Sequence, residues 1–127
     1  MRILVLGAGG TGGYFGGRLL QAGCDVTFLV RPKRAAMLRQ SGLVIRSPIG
    51  DATLPVAVVE PAQLTADYDL VMLSCKAYDL EDAIRTVKPA MRRPGAMLLP
   101  LLNGLAHYAA LDAAFGRDAV LGGLCYI

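Results

Sequence analysis

The chain has 127 residues and a formal net charge of +3, and 54% of its residues are hydrophobic. This length fits one domain with a single core. The cations form no long basic stripe with interleaved aromatic residues, which disfavours a nucleic-acid-binding surface. No apolar run approaches the roughly 18 residues that a membrane span requires, and the first residues do not resemble a secretory signal. The composition therefore predicts a soluble, cytoplasmic domain with no nucleic-acid or membrane partner.

Cysteine and histidine usage limits the chemistry further. Cys24, Cys75 and Cys125 lie far apart without a Cys-x-x-Cys pair, and His107 is the only histidine. We therefore expect reduced thiols and no metal site.

A short apolar run at residues 3–6 is followed directly by Gly7-Ala8-Gly9-Gly10-Thr11-Gly12. A strand, a Gly-x-Gly-x-x-Gly turn and a helix in this order are typical of dinucleotide binding. Gly7 would allow the tight turn, and Gly9 would let the backbone approach a pyrophosphate. The amides around residues 10–12 would face the phosphates at the start of the helix. The alternative is a glycine-rich turn that only packs a helix on a sheet.

The helix after this turn is predicted to end at Gly23, a residue type favoured beyond helix ends. Its buried face is expected to carry Gly12, Phe15, Leu19 and Ala22.

Strands and helices alternate along the rest of the chain. Strands are predicted at 25–30, 43–46, 54–59, 69–75, 97–99 and 119–121, and helices at 33–40, 80–91 and 105–115, with a helical turn at 61–64. Residues 47–51 would form the turn between 43–46 and 54–59. Pro55 lacks an amide donor, so the run that contains it is expected to start at a sheet edge. The alternation predicts an α/β domain, a Rossmann-type and mostly parallel sheet with helices on both faces.

Ligands of such sheets lie beyond the carboxyl ends of the strands. The polar groups that follow predicted strands are the glycine turn, Arg31, Lys76 and Asn103. We therefore expect these four to converge on one site.

Arg31 follows the second predicted strand, where an acidic residue usually holds the ribose diol of NAD. No acid lies near that strand end, whereas Lys33 and Arg34 follow Arg31 closely. An arginine can hold a 2′-phosphate with two hydrogen bonds, so the pattern favours NADP over NAD. The alternative is a solvated cluster of surface cations.

Lys76 and Asn103 each have two interpretations. Lys76 could contact a phosphate or a substrate carboxylate, or it could be a surface cation. Asn103 could cap the helix that follows, or it could present its amide to the nicotinamide ring or to a substrate carbonyl. His107 and Tyr108, at the start of that helix, are interpreted as structural.

The mean hydropathy of +0.47 is high for a small free-standing domain. We attribute it to central strands buried on both faces and to surface that another part of the protein would cover.

These motifs together resemble the N-terminal domain of the ketopantoate reductases, formally 2-dehydropantoate 2-reductases. The resemblance covers the whole chain and lies in Gly7-Ala-Gly-Gly-Thr-Gly-Gly-Tyr-Phe, Val26-Thr-Phe-Leu-Val-Arg31, Ser47-Pro-Ile-Gly-Asp51, Cys75-Lys-Ala-Tyr-Asp79, Leu101-Leu-Asn-Gly104 and Leu121-Gly-Gly-Leu-Cys-Tyr-Ile127. The glycine turn alone matches many dehydrogenases. The Lys-Ala-Tyr-Asp and Leu-Asn-Gly motifs, at these separations and with Arg31, are much more specific.

The resemblance implies a reductase that uses NADPH to convert 2-dehydropantoate to pantoate, on the way to pantothenate and coenzyme A. It implies that residues 7–12 cradle the pyrophosphate, that Arg31 holds the 2′-phosphate and that Lys76 contacts the cofactor. Asn103 would lie by the nicotinamide and contact the substrate.

The resemblance also implies a missing half. The family's catalytic lysine and glutamate lie in a helical C-terminal domain, so we expect no catalytic residue among residues 1–127, which would form the NADP-binding domain alone. The alternatives are the nucleotide domain of a related NADP-dependent 2-oxo or 3-hydroxy acid dehydrogenase, and a stand-alone NADP-sensing module. The motifs specify neither the exact substrate nor the oligomeric state, and they are compatible with a homo-oligomer.

Overall fold

The computed structural model describes residues 1–7, 10–74, 80–101 and 107–121. Its strands are β1 (Arg2–Leu6), β2 (Asp25–Leu29), β3 (Leu43–Ile45), β4 (Ala52–Leu54), β5 (Ala57–Val59), β6 (Leu70–Leu73) and β7 (Met97–Pro100). Its helices are α1 (Gly10–Gln21), α2 (Pro32–Ser41), α3 (Leu80–Val87) and α4 (His107–Phe115). Short 3-10 turns cover Pro61–Gln63, Ala90–Arg92 and Arg117–Ala119.

The main sheet has five strands in the order β5-β2-β1-β6-β7, and every adjacent pair is parallel. The chain moves from β1 outward on one side through β2 to β5, and then returns to β6 on the other side of β1. The predicted Rossmann-type α/β fold is confirmed. The strands β3 and β4 form a separate antiparallel hairpin.

Side chains alternate between the two faces of the sheet, as the strand period of two requires. Ile3 and Val5 of β1 belong to the core that packs α1, α2 and the hairpin. Leu4, between them, belongs to the core that packs α3 and α4. Helices therefore cover both faces, which explains why β1 is almost continuously apolar.

Close packing brings α1 against both the sheet and the hairpin. A side chain at Gly16 would collide with the ring of Phe28, and one at Gly17 would collide with Ile45. Of the expected buried face of α1, Gly12 is buried and Phe15 and Leu19 pack on the core. The expectation for Ala22 was wrong, because α1 ends at Gln21 and Ala22 is exposed.

The predicted strand at 54–59 was wrong as a single element. It is divided between β4 of the hairpin and β5 of the main sheet, on either side of Pro55 and Val56. Proline cannot donate to a ladder, so the chain leaves one sheet there and enters the other. β5 does lie at the edge of the main sheet.

Two predicted elements near the end of the chain are shorter than expected. The helix predicted at 80–91 ends at Val87, because Pro89 disfavours helical geometry at the residue before it. The strand predicted at 119–121 is reduced, within the described residues, to a single parallel bridge between Leu98 and Val120.

Candidate functional site at the carboxyl edge of the sheet

Four neighbouring strands end in line at one edge of the sheet. Leu6 of β1 lies opposite both Leu29 of β2 and Leu73 of β6, and Leu73 lies opposite Pro100 of β7. The chain reverses its direction of growth between β1 and β6, and ligands of open parallel sheets bind in the crevice outside such a reversal. The junction of β1 and β6 is therefore the candidate site.

The glycine turn begins at this junction. Gly7 has φ +85°, a backbone conformation that side chains disfavour, and its amide donates to the Leu29 carbonyl oxygen at 2.9 Å. α1 starts three residues later at Gly10, and the first amides of a helix have no partner within it. The turn therefore leads into a helix N-terminus placed directly over the crevice. Ala8 and Gly9 lie outside the described residues, and the structure describes Gly10 and Thr11 by backbone only.

Gly12 is buried where α1 crosses the end of the sheet. A Cβ there would collide with Ser74 Oγ and would lie 2.9 Å from the Gly7 carbonyl oxygen. No larger residue fits this position without moving the turn.

Ser74 is a residue of this site that the sequence analysis did not single out. Its hydroxyl donates to the Leu6 carbonyl oxygen at 2.8 Å, across 68 residues of sequence. The sequence could have indicated Ser74 by its position directly after a buried strand. The hydrogen-bond partner of its hydroxyl could not be predicted, because it depends on the register of β1 and β6.

Arg31 lies at the same edge, one strand further along. Val30 donates its amide to the Val59 carbonyl oxygen at 3.1 Å, and Arg31 caps α2 in an extended conformation while its carbonyl accepts from the Ala35 amide at 2.9 Å. The side chains of Arg31 and Lys33 are exposed, as is that of Arg34. The structure thus brings the glycine turn and Arg31 to one edge.

An acid does follow the neighbouring strand β5, but it is engaged elsewhere. Glu60 Oε2 lies 3.2 Å from Arg39 Nη1, and the Glu60 amide donates to Gln63 Oε1 at 3.4 Å. The edge of β2 therefore presents cations rather than a carboxylate.

Lys76 and Asn103 lie outside the described residues, and so does the side chain of His107. Their convergence with the glycine turn stays a prediction. They follow β6 and β7, whose described ends reach the same edge as β1.

The opposite, amino edge of the sheet holds a network of paired charges. Asp69 accepts the Arg2 amide at 2.7 Å, and Arg93 Nη1 lies 2.9 Å from its other carboxylate oxygen. The hydrogen bond from the Arg2 amide, with the Arg93 guanidinium beside it, holds the pKa of Asp69 below its ordinary value of 3.8. Arg2 also pairs with Asp25 at 3.5 Å and Asp67 at 3.6 Å. These charges lie at the far end of β1 and β6 from the glycine turn.

The described residues contain neither a metal site nor a membrane-spanning helix. Their histidine, cysteine and acidic side chains form no group that could hold a metal ion. None of their helices is both long enough and apolar enough to cross a membrane.

Comparison with known proteins identifies the family. The family model for ketopantoate reductase PanE/ApbA matches residues 3–127. The chain is 47% identical to an uncharacterized oxidoreductase, YkpB, from Bacillus subtilis over 127 residues, which is all of this chain and 41% of the relative. It is 31% identical to a 2-dehydropantoate 2-reductase from Nostoc over 124 residues, 97% of this chain and 38% of the relative.

A solved structure agrees with these matches. The crystal structure of 2-dehydropantoate 2-reductase from Geobacter metallireducens superposes with a TM-score of 0.84 at 33% identity, over 94% of this chain and 40% of that one. The chain thus spans about 40% of the length of the relatives it matches. The resemblance expected from the motifs is confirmed, and the chain belongs to the ketopantoate reductase family of oxidoreductases, in which it corresponds to the N-terminal domain.

Proposed function

We propose that the chain binds NADPH at the carboxyl edge of its sheet and serves as the cofactor-binding domain of a 2-dehydropantoate 2-reductase. The observation that carries this proposal is the junction of β1 and β6. There Gly7, at φ +85°, leads into the N-terminus of α1, and Gly12 packs without space for a side chain. The family assignment supports the reaction class.

The pyrophosphate would bind at the start of α1. Helix N-termini favour anions because their unpaired amides and the helix dipole both face the ligand. The Gly7 amide already bonds to Leu29, so the amides of residues 10–12 are the proposed donors. Gly9, from its place in the motif, would allow the phosphate to approach the backbone.

The 2′-phosphate of NADPH would lie against Arg31. Arg31 follows β2 at the position where an acid would hold a ribose diol, and the acid after the adjacent strand is paired with Arg39. Within the described residues, the side chains of Arg31 and Lys33 take part in no hydrogen bond or ion pair, so both are available to an anion. Lys76 would contact the cofactor, and Asn103 would lie beside the nicotinamide and contact the substrate.

The chemistry of the reaction is the reduction of a ketone to an alcohol. Bound NADPH would supply the hydride, and a separate group would have to protonate the carbonyl oxygen. Because the chain spans about 40% of its relatives' length, we assign the proton donor and most substrate contacts to a second, helical domain. The product, pantoate, would enter the synthesis of pantothenate and coenzyme A.

A second candidate is a related NADP-dependent dehydrogenase that acts on another 2-oxo or 3-hydroxy acid. The observation that favours it is the 47% identity to an uncharacterized oxidoreductase, compared with 31% and 35% to two proteins named 2-dehydropantoate 2-reductase. Assay of the chain with NADPH and 2-dehydropantoate, with and without the rest of the protein, separates the candidates. We expect turnover only in the longer protein. Turnover on another 2-oxo acid alone supports the second candidate, and binding without turnover in either form supports a sensing module.

The experiment that tests the cofactor assignment is titration of NADPH and NADH into the chain and its Arg31→Ala variant. A hydrogen bond to a charged group contributes roughly 1.5–3 kcal/mol, so NADPH affinity should fall by about tenfold to a hundredfold. NADH affinity should stay nearly constant, since NADH has no 2′-phosphate.

Arg46→Ala is the matched control, because Arg46 is also an exposed arginine but lies in the hairpin connection, 4.0 Å from Asp51. Its NADPH affinity should match that of the unmodified chain. If substitution of Arg31, Lys33 and Arg34 together leaves the preference for NADPH unchanged, the 2′-phosphate is bound elsewhere and the assignment of this cluster fails.

A further inference from the structure

The junction of β1 and β6 differs from the other junctions at the carboxyl edge. At three of them a backbone amide donates to the last carbonyl of the neighbouring strand: Val30 to Val59, Gly7 to Leu29 and Leu101 to Leu73, at 3.1, 2.9 and 2.7 Å. At the junction of β1 and β6, the Leu6 carbonyl accepts from a side chain, the Ser74 hydroxyl, at 2.8 Å. This side-chain bond at the crevice is made in addition to the strand pairing of Leu6 with Leu73, and it depends on the identity of residue 74.

This bond holds one particular peptide group. The Leu6 carbonyl and the Gly7 amide belong to the same planar peptide unit. Its amide is bonded to Leu29 on β2, and its carbonyl is bonded to Ser74 on β6. The peptide that precedes the φ +85° residue is thus fixed from both sides, and its orientation sets the direction in which the glycine turn leaves the sheet.

The same side chain also borders the start of α1. Ser74 Oγ occupies the space that a Cβ at Gly12 would need, and it would lie 3.9 Å from a Cβ at Gly7. Ser74 therefore lies beside both ends of the turn that the pyrophosphate is proposed to enter.

We propose that Ser74 is a positioning residue for the pyrophosphate of the cofactor, acting through the Leu6–Gly7 peptide and the packing at Gly12. This inference rests on the proposed function and adds a residue that distinguishes the two phosphate sites. Ser74 governs the part that NADPH and NADH share, whereas Arg31 governs the 2′-phosphate that only NADPH carries.

The test compares Ser74→Val with Ser74→Thr, two variants of nearly the same shape that differ in the hydroxyl. The ligands are NADPH, NADH and adenosine 2′-phosphate, which carries the 2′-phosphate but no pyrophosphate. Loss of one net hydrogen bond predicts that Ser74→Val binds NADPH and NADH about three- to tenfold more weakly, by the same factor for both. Ser74→Thr should bind both ligands as the unmodified chain does, and adenosine 2′-phosphate should bind all three proteins equally.

Equal affinities of the Thr and Val variants for NADPH would overturn the role of the hydroxyl. So would a loss of adenosine 2′-phosphate binding as large as the loss of NADPH binding, because that pattern indicates a general loss of structure. If Ser74→Val does not fold, Ser74→Ala takes its place with the same expectation. An unmodified chain that binds neither NADPH nor NADH overturns the proposed function itself, whereas binding that is insensitive to Ser74 overturns only this inference.

Discussion

The two edges of the main sheet are built from different chemistry. At the amino edge, Asp69 accepts the Arg2 amide and pairs with Arg93, so charged groups satisfy one another. At the carboxyl edge, the crevice is bordered by the backbone of Gly7 and by the Ser74 hydroxyl. One edge uses its polar groups to join strands and loops of the fold. At the other, the first amides of α1 have no partner within the helix, and there we propose that the pyrophosphate binds.

This difference follows from the parallel arrangement of the strands. All five strands of the main sheet point the same way. Segments that follow its strands therefore collect at one edge, and segments that precede them collect at the other. The paired charges at the amino edge join residues of different segments and leave few groups for an anion. Stability and ligand binding should therefore respond to substitutions at opposite edges.

The largest expected effect on binding is that of Gly12→Ala at the carboxyl edge. The added methyl group would collide with Ser74 Oγ and with the Gly7 carbonyl oxygen at 2.9 Å, and the turn must move to accept it. Overpacking of this kind costs about 1–3 kcal/mol. A loss of that size at the pyrophosphate site would lower NADPH affinity by roughly fivefold to 150-fold, as measured by calorimetry.

Gly17→Ala is the control for this variant, because it is the same substitution on the same helix. Its methyl group would meet the flexible end of Ile45 in the hairpin. Because alanine is intrinsically more favourable than glycine in a helix, it should change the thermal midpoint only slightly, and it should leave NADPH affinity unchanged. Similar losses of affinity in the two variants would show that α1 as a whole, rather than the turn, controls binding.

An intermediate effect on stability is expected from Asp69→Asn at the amino edge. The pKa of Asp69 is lowered in the folded chain, so the ionised form contributes stability above its ordinary value of 3.8, and this contribution is lost as the pH falls through the lower, folded value. Urea denaturation between pH 2 and 7 should show a smaller pH dependence for Asp69→Asn than for the unmodified chain. NADPH affinity at pH 7 should not change. If the free energy of unfolding depends on pH in the same way in both proteins, Asp69 does not contribute to acid unfolding.

The smallest expected effect is that of Arg93→Ala. The Arg93 and Asp69 side chains are 42% and 35% exposed, so solvent screens their attraction, and the main cause of the lowered pKa is the Arg2 amide. The variant should therefore keep most of the pH dependence of the unfolding free energy. The pKa of Asp69 in a carboxyl-carbon NMR titration should be slightly higher than in the unmodified chain. A pKa that returned fully to its ordinary value would reverse the assigned order of causes.

The order of strands and helices and the glycine turn were predictable because they depend on local sequence. The apolar run before Gly7 and the glycine spacing each span only a few residues of sequence. The division of residues 54–59 between two sheets was not predictable. Pro55 indicates that a strand is interrupted, but it does not indicate which sheet the next residues join. The roles of Ser74 and Asp69 depend on partners 68 and 67 residues away, and those partners are known only once the register of β1 and β6 is fixed. The roles of Lys76 and Asn103 stay predictions.

The glycine content of α1 has a consequence for folding. Five of its twelve residues are glycine, which lowers its intrinsic helix stability by roughly 4–5 kcal/mol relative to an all-alanine helix. As an isolated peptide, α1 would be almost entirely unfolded. It becomes helical by docking, with Gly16 on Phe28 of the sheet and Gly17 on Ile45 of the hairpin. The helix that carries the proposed phosphate-binding amides therefore depends on tertiary packing for its stability, and amide hydrogen exchange along α1 would report the integrity of the hairpin as well as its own.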